Sequence, residues 1–112
     1  MMKPAARLLL LLIATIGLVG CGGATSAPPQ TIDLVVTDPP APTLSVEVPL
    51  GAEVTLRITT PTDDRAHVHG YEIEEDLPAG QATDIVFTAD MSGTYEVESH
   101  ITDAVWLNLV VK

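Results

Sequence analysis

Cysteine occurs once in this 112-residue chain, at Cys21. One thiol closes no intramolecular disulfide and forms no CxxC site, so a disulfide framework and a dithiol redox centre are both excluded. Basic residues are scarce as well, with five Lys and Arg against fifteen Asp and Glu and a formal net charge of −10. Nucleic acids and anionic lipid surfaces are held by Lys and Arg that neutralise phosphates, and this chain has few to offer. Long apolar runs are also missing. Leu8–Val19 covers twelve residues, and in a helix it would rise about 18 Å against a hydrocarbon core of roughly 30 Å. There is no glycine-rich phosphate loop, no EF-hand loop and no HExxH pair. Ser99, His100 and Asp103 lie close in sequence, but adjacent Ser and His side chains point apart on a strand and nothing around them makes a nucleophile elbow. No enzyme activity is expected.

What is present begins with the first thirty residues. Lys3 and Arg7 precede the apolar run, and Leu18-Val19-Gly20-Cys21 closes it. A positive start, a short apolar core and a small residue before the cut describe an export signal. With cysteine directly after that small residue, the segment resembles a bacterial lipoprotein signal. That resemblance implies a diacylglycerol on the Cys21 thiol, cleavage between Gly20 and Cys21, and a protein held on the extracytoplasmic side of a cell-envelope membrane. Residues 1–20 are therefore expected to be a signal peptide. Residues 21–30, a lipidated cysteine followed by Gly, Ser, Thr and Pro, are expected to be a flexible tether. Without residues 1–20, three basic residues (Arg57, Arg65, Lys112) face fifteen acidic ones, a formal charge of −12 that suits cations or simply solubility.

Residues 31–112 are enough for one domain and too few for two. Their apolar period is two. Val54, Leu56 and Ile58 alternate with Thr55, Arg57 and Thr59, and the same pattern recurs at Ile85/Phe87, Tyr95/Val97 and Leu107/Leu109/Val111. Turn chemistry separates the runs: Asp90-Met91-Ser92-Gly93 and Pro78-Ala79-Gly80 suit tight turns, while Pro39, Pro40 and Pro42 part the first two strands. The spacing predicts an all-β Greek-key sandwich of about seven strands, near 31–37, 43–48, 53–60, 66–74, 82–88, 93–99 and 104–111. Val54, Leu56, Ile58, Ile73, Phe87, Tyr95, Val97, Leu107 and Leu109 are the expected core.

Gly51-Ala52-Glu53-Val54-Thr55-Leu56, His69-Gly70-Tyr71-Glu72-Ile73, Leu77-Pro78-Ala79-Gly80, Phe87-Thr88-Ala89-Asp90 and Gly93-Thr94-Tyr95 follow one another in an order that resembles a cupredoxin. The arrangement is similar to plastocyanin-type domains, to the copper domains of nitrous-oxide reductase and cytochrome oxidase subunit II, and to the cupredoxin-like domain of bacterial iron-uptake lipoproteins. It covers roughly residues 32–111. The resemblance implies a Greek-key sandwich with any metal at one rim. Of the family's copper ligands only the first histidine has a counterpart, His69. The cysteine position is Ser99, the second histidine position is Thr102, and the axial methionine falls near Leu107. A serine hydroxyl does not replace a thiolate as a soft copper ligand, so neither a blue-copper nor a coupled two-copper centre is expected.

Other donors remain. His67 and His69 sit two apart on one strand and so share a face, opposite Val68. Tyr71 and Ile73 are expected to continue that face inward, which would place the histidines near the rim. His100 follows Ser99; if Tyr95, Val97 and Ser99 point inward, His100 turns outward unless the strand ends or bulges. His67, His69 and His100 together would make a nitrogen site for Cu(II), Zn or Ni, and the alternative is strand histidines with satisfied hydrogen bonds. Glu72, Glu74, Glu75 and Asp76 cluster in sequence, and Glu72 and Glu74, opposite Tyr71 and Ile73, read as a solvated face. Met91 lies in a turn, and Trp106 is either an exposed aromatic for a partner or packed beneath a loop. Two function classes follow. One is a membrane-anchored lipoprotein that binds copper or another divalent metal through histidines. The other is a metal-free cupredoxin-like module serving an envelope partner such as a transporter or oxidase. Neither involves nucleic acid.

Overall fold

Alternation decides which residues become core. Along Glu53–Thr59, Val54, Leu56 and Ile58 are fully buried while Glu53 and Arg57 face solvent, as a half-buried strand requires. The structure is a computed structural model that describes residues 27–112. The expected signal peptide, Cys21 and most of the expected tether lie outside the described residues. Eight strands form among the described residues, in the order β1 (Gln30–Val35), β2 (Leu44–Val48), β3 (Glu53–Thr59), β4 (Asp64–Val68), β5 (Ile73–Leu77), β6 (Thr83–Thr88), β7 (Gly93–Ser99) and β8 (Val105–Val111). They make a three-stranded sheet, β1-β3-β6, and a five-stranded sheet, β2-β8-β7-β4-β5. The β1–β3 and β2–β8 pairs are parallel and the others antiparallel.

The two sheets share one core, to which every strand contributes. Leu56, Ile58, Leu77, Leu107 and Leu109 are its largest fully buried side chains. The expected all-β sandwich is therefore observed. Of its expected core residues, Ile73, Phe87 and Tyr95 are only half-buried and pack against the core from its margin. Tyr71 stacks there with Phe87 and Tyr95 at centroid distances of 4.8 and 4.9 Å, and its hydroxyl donates to the Met91 carbonyl.

The expected strand 66–74 is two strands. Val68 pairs with Ile73, and His69–Glu72 is the turn of a β4–β5 hairpin. Gly70 has φ +82 and Glu72 φ +54, a region that glycine enters freely and other residues uncommonly. A Cβ on Gly70 would lie 2.2 Å from Tyr95 Cδ1. The ring of Tyr95 thus requires glycine at the turn, and the turn resets the alternation that would have carried His67 and His69 in line with Tyr71 and Ile73.

Trp106 is buried and is the extra residue of a bulge, since Val97 pairs with Leu107 but Glu98 with Val105. The irregularity lets Trp106 and Leu107 both be buried although adjacent. Trp106 lines a small cavity together with Val36, Pro40 and Pro42 of the proline-rich β1–β2 loop.

Candidate metal centre

β4 is flanked by β5 on one side and β7 on the other, and this placement builds the site. Ala66 and Val68 are fully buried, so Arg65, His67 and His69 project from the outer face of the five-stranded sheet. The expectation that the histidines share the inward face of Tyr71 and Ile73 is thereby reversed. His67 stands opposite Glu74 of β5 and Glu98 of β7, and Arg65 opposite Asp76. The His69 amide donates to Glu96 O and the His100 amide to Arg65 O, which extends the same rows. Val97 and Ser99 point inward, so His100 turns outward as strict alternation demands. Because His67 and His69 also face outward, that alternation brings His100 to their side.

The side chains converge on His67. Its ring lies 4.2 Å from that of His69 and 6.2 Å from that of His100, centroid to centroid. His67 Nδ1 is 3.8 Å from Glu98 Oε1 and its Nε2 is 3.6 Å from Glu72 Oε2. His69 Nε2 is hydrogen-bonded to the same Glu98 oxygen. His100 Nδ1 is 3.8 Å from Glu74 Oε1. The three histidines do not make one three-nitrogen group. They enter two overlapping sets, His67–His69–Glu98 and His67–His100–Glu74, and in each the donor atoms lie within 4.8 Å of one another. Tetrahedral bonds near 2.1 Å hold ligands about 3.4 Å apart, so either set closes on an ion by small side-chain rotations. His67 and Glu98 are the least exposed members, at 16% and 17%.

The charges around these sets differ. The hydrogen bond to Glu98 raises the pKa of His69, with the Glu98, Glu96 and Glu72 charges adding to it against desolvation. Glu74 is lowered, first by its hydrogen bond from Arg65. That guanidinium donates from Nε and Nη2 to Glu74 Oε2 at 3.2 and 3.0 Å and from Nη1 to Asp76 Oδ1 at 2.9 Å.

The position corresponding to the cupredoxin cysteine is a hydrogen-bond knot. Ser99 is fully buried; its hydroxyl donates to Asp64 Oδ1 at 2.6 Å and accepts from the Ile101 and Thr102 amides at 3.1 and 2.9 Å. Leu107 is core and Thr102 is exposed. His69 lies on the opposite face of the sheet from Ser99, so the structure does not bring these two together. No thiolate or thioether stands there, and the residues do not fit a blue-copper ion.

No protein-family profile and no curated protein matches the sequence. Solved structures do. A multicopper oxidase, mgLAC, superposes with a TM-score of 0.61 at 17% identity over 77% of this chain and 39% of its own. A copper-binding protein solved in the apo form gives 0.62 at 12% identity over 80% of this chain and 93% of its own. The fold is cupredoxin-like. The metal-binding domain of the Streptococcus pneumoniae D39 Cu(I)-exporting P-type ATPase CopA, solved with Cu(I), gives 0.61 at 12% identity over 80% of this chain and 99% of its own. The cupredoxin-like chain thus spans well under half of the oxidase and nearly all of the two small copper domains.

Sequence reasoning singled out the three histidines but read Glu74 as part of a solvated face and passed over Glu98. Glu98 has a sequence signal, since it sits two residues before His100 and shares its face. Glu74 has none, because its approach to His67 depends on the hairpin register.

Proposed function

We propose that this cupredoxin-like domain is a non-enzymatic carrier of a divalent ion, copper or another metal, bound on the outer face of the five-stranded sheet through His67 with His69, His100, Glu74 and Glu98. The observation that carries the reading is the convergence of two imidazole–carboxylate sets on His67. Imidazole and carboxylate donors suit Cu(II) and Zn(II), and neither needs a thiolate. The similarity to small copper-binding domains supports copper, and a mature charge of −12 supports a cation. The ion supplies an electrophilic centre, and the chain supplies neutral nitrogen, carboxylate charge and a rigid strand to hold them. Lipidation at Cys21 would keep the carrier at the envelope membrane. Calorimetry of the purified chain with Cu(II) and Zn(II) is expected to show binding that His67→Ala abolishes, with at most a weak visible d–d band for copper. Equal binding by a His67/His69/His100 triple alanine variant would overturn the reading.

A second reading has its own support. Glu98 already pairs with His69 and Glu74 with Arg65, so the cluster is electrostatically satisfied without an ion. On that basis the domain serves as a metal-free interaction module for an envelope transporter or oxidase, and the same calorimetry separates the two.

A further inference from the structure

The two ligand sets share His67 but differ in what holds their carboxylates. Glu98 Oε1 faces only His67 and His69, and among the described residues no Lys or Arg lies within 4.0 Å of that carboxylate. Glu74 is gripped through Oε2 by two nitrogens of Arg65, while its Oε1 faces His100. Arg65 is itself fixed from both ends, with its third contact to Asp76. It also stands on β4 two residues before His67, on the same outer face, and its carbonyl receives the His100 amide. A dication placed among His67, His100 and Glu74 would therefore sit beside a permanent positive charge that already neutralises the carboxylate it needs. A dication among His67, His69 and Glu98 would not.

We propose that Arg65 is a built-in counter-cation that withholds Glu74, making the cluster a one-ion site in which His67–His69–Glu98 is filled and His67–His100–Glu74 is held in reserve. This rests on the metal-binding reading above and adds to it an order of preference and the residue that imposes it. Arg65 is a positioning residue rather than a ligand, since its effect reaches the ion through Glu74. A partner that engaged the guanidinium with its own carboxylate would release Glu74 and draw the ion across His67 towards His100, the most exposed of the three histidines at 56%.

The test is a calorimetric cycle on the full chain with Zn(II). The wild type binds one equivalent, and His69→Ala weakens binding by at least about tenfold, more than His100→Ala does. Adding Arg65→Gln to His69→Ala recovers roughly three- to tenfold, because a neighbouring like charge has been removed. Adding His100→Ala to that pair abolishes the recovery. Arg57→Gln is the control, since Arg57 is bracketed in the same way by Asp33 and Asp84 on the three-stranded sheet and carries the same charge away from the cluster. Recovery that Arg57→Gln reproduces, or that survives His100→Ala, would show an effect of net charge alone and overturn the role of Arg65. So would binding that is indifferent to Arg65 in every background. Absence of Zn(II) binding by the wild type and by every variant would overturn the metal-site reading and this proposal together.

Discussion

His69 and Ser99 lie on opposite faces of one sheet, and each is governed by its nearest carboxylate. Glu98 raises the pKa of His69 above the ordinary 6.5. A raised pKa stabilises the fold fully below the unfolded value and loses that contribution as pH rises through the folded value. The metal-free protein is thus expected to lose thermal stability as pH climbs above about 6.5, and Glu98→Gln should flatten that slope in a pH series of melting curves. Metal affinity should run the opposite way, rising over the same interval, because a ligating imidazole must first lose its proton. Ser99 makes a different prediction. Ser99→Ala removes one donated and two accepted hydrogen bonds at a fully buried position and leaves two loop amides without their acceptor. The expected cost is about 1–3 kcal/mol in denaturant unfolding, with the Zn(II) affinity of the outer face unchanged.

At the scale of elements, the β4–β5 hairpin decides the site. Its turn places Glu74 opposite His67 and ends the strand at Val68, so Tyr71 and Ile73 do not continue the outward face of His67 and His69. Gly70 at φ +82 is packed on the Tyr95 ring. Gly70→Ala combines an unfavourable backbone region with a contact that cannot be relieved by a flexible side-chain end. It is expected to destabilise the protein by about 2–4 kcal/mol and to weaken metal binding, both checked on one preparation by thermal melting and calorimetry. The bulge at Trp106, on β8 of the same sheet, turns a second large residue inward beside Leu107. The apolar period revealed both neighbouring strands. It did not reveal the hairpin, because His67, His69, Tyr71 and Ile73 keep a period of two and read as one face of a single strand over 66–74.

For the whole molecule, the distribution of charge and the proposed anchor set the context. The outer face of the five-stranded sheet gathers all three histidines and much of the acid, whereas the inner face is apolar apart from Ser99. Cys21→Ser is expected to abolish lipidation and move the protein from the membrane fraction to the soluble one. Wild-type protein that is unmodified and membrane-free would contradict the proposed anchor, and mass spectrometry of the fractions reads this directly.

The sequence by itself determined the all-β class, most of the strands, the inner six of the nine expected core residues, and the absence of blue-copper ligands. These follow from local quantities: a period of two along the chain, turn residues between runs, and the identity of the side chain at Ser99. The tertiary structure alone decided which way His67 and His69 face, that His100 joins them, and that Glu74 and Glu98 complete the cluster. Those facts depend on hairpin register and on the steric demand of Tyr95 at Gly70, twenty-five positions away in sequence. Alternation specifies that two residues share a face. Only the packing of one sheet on the other specifies which face is the inside.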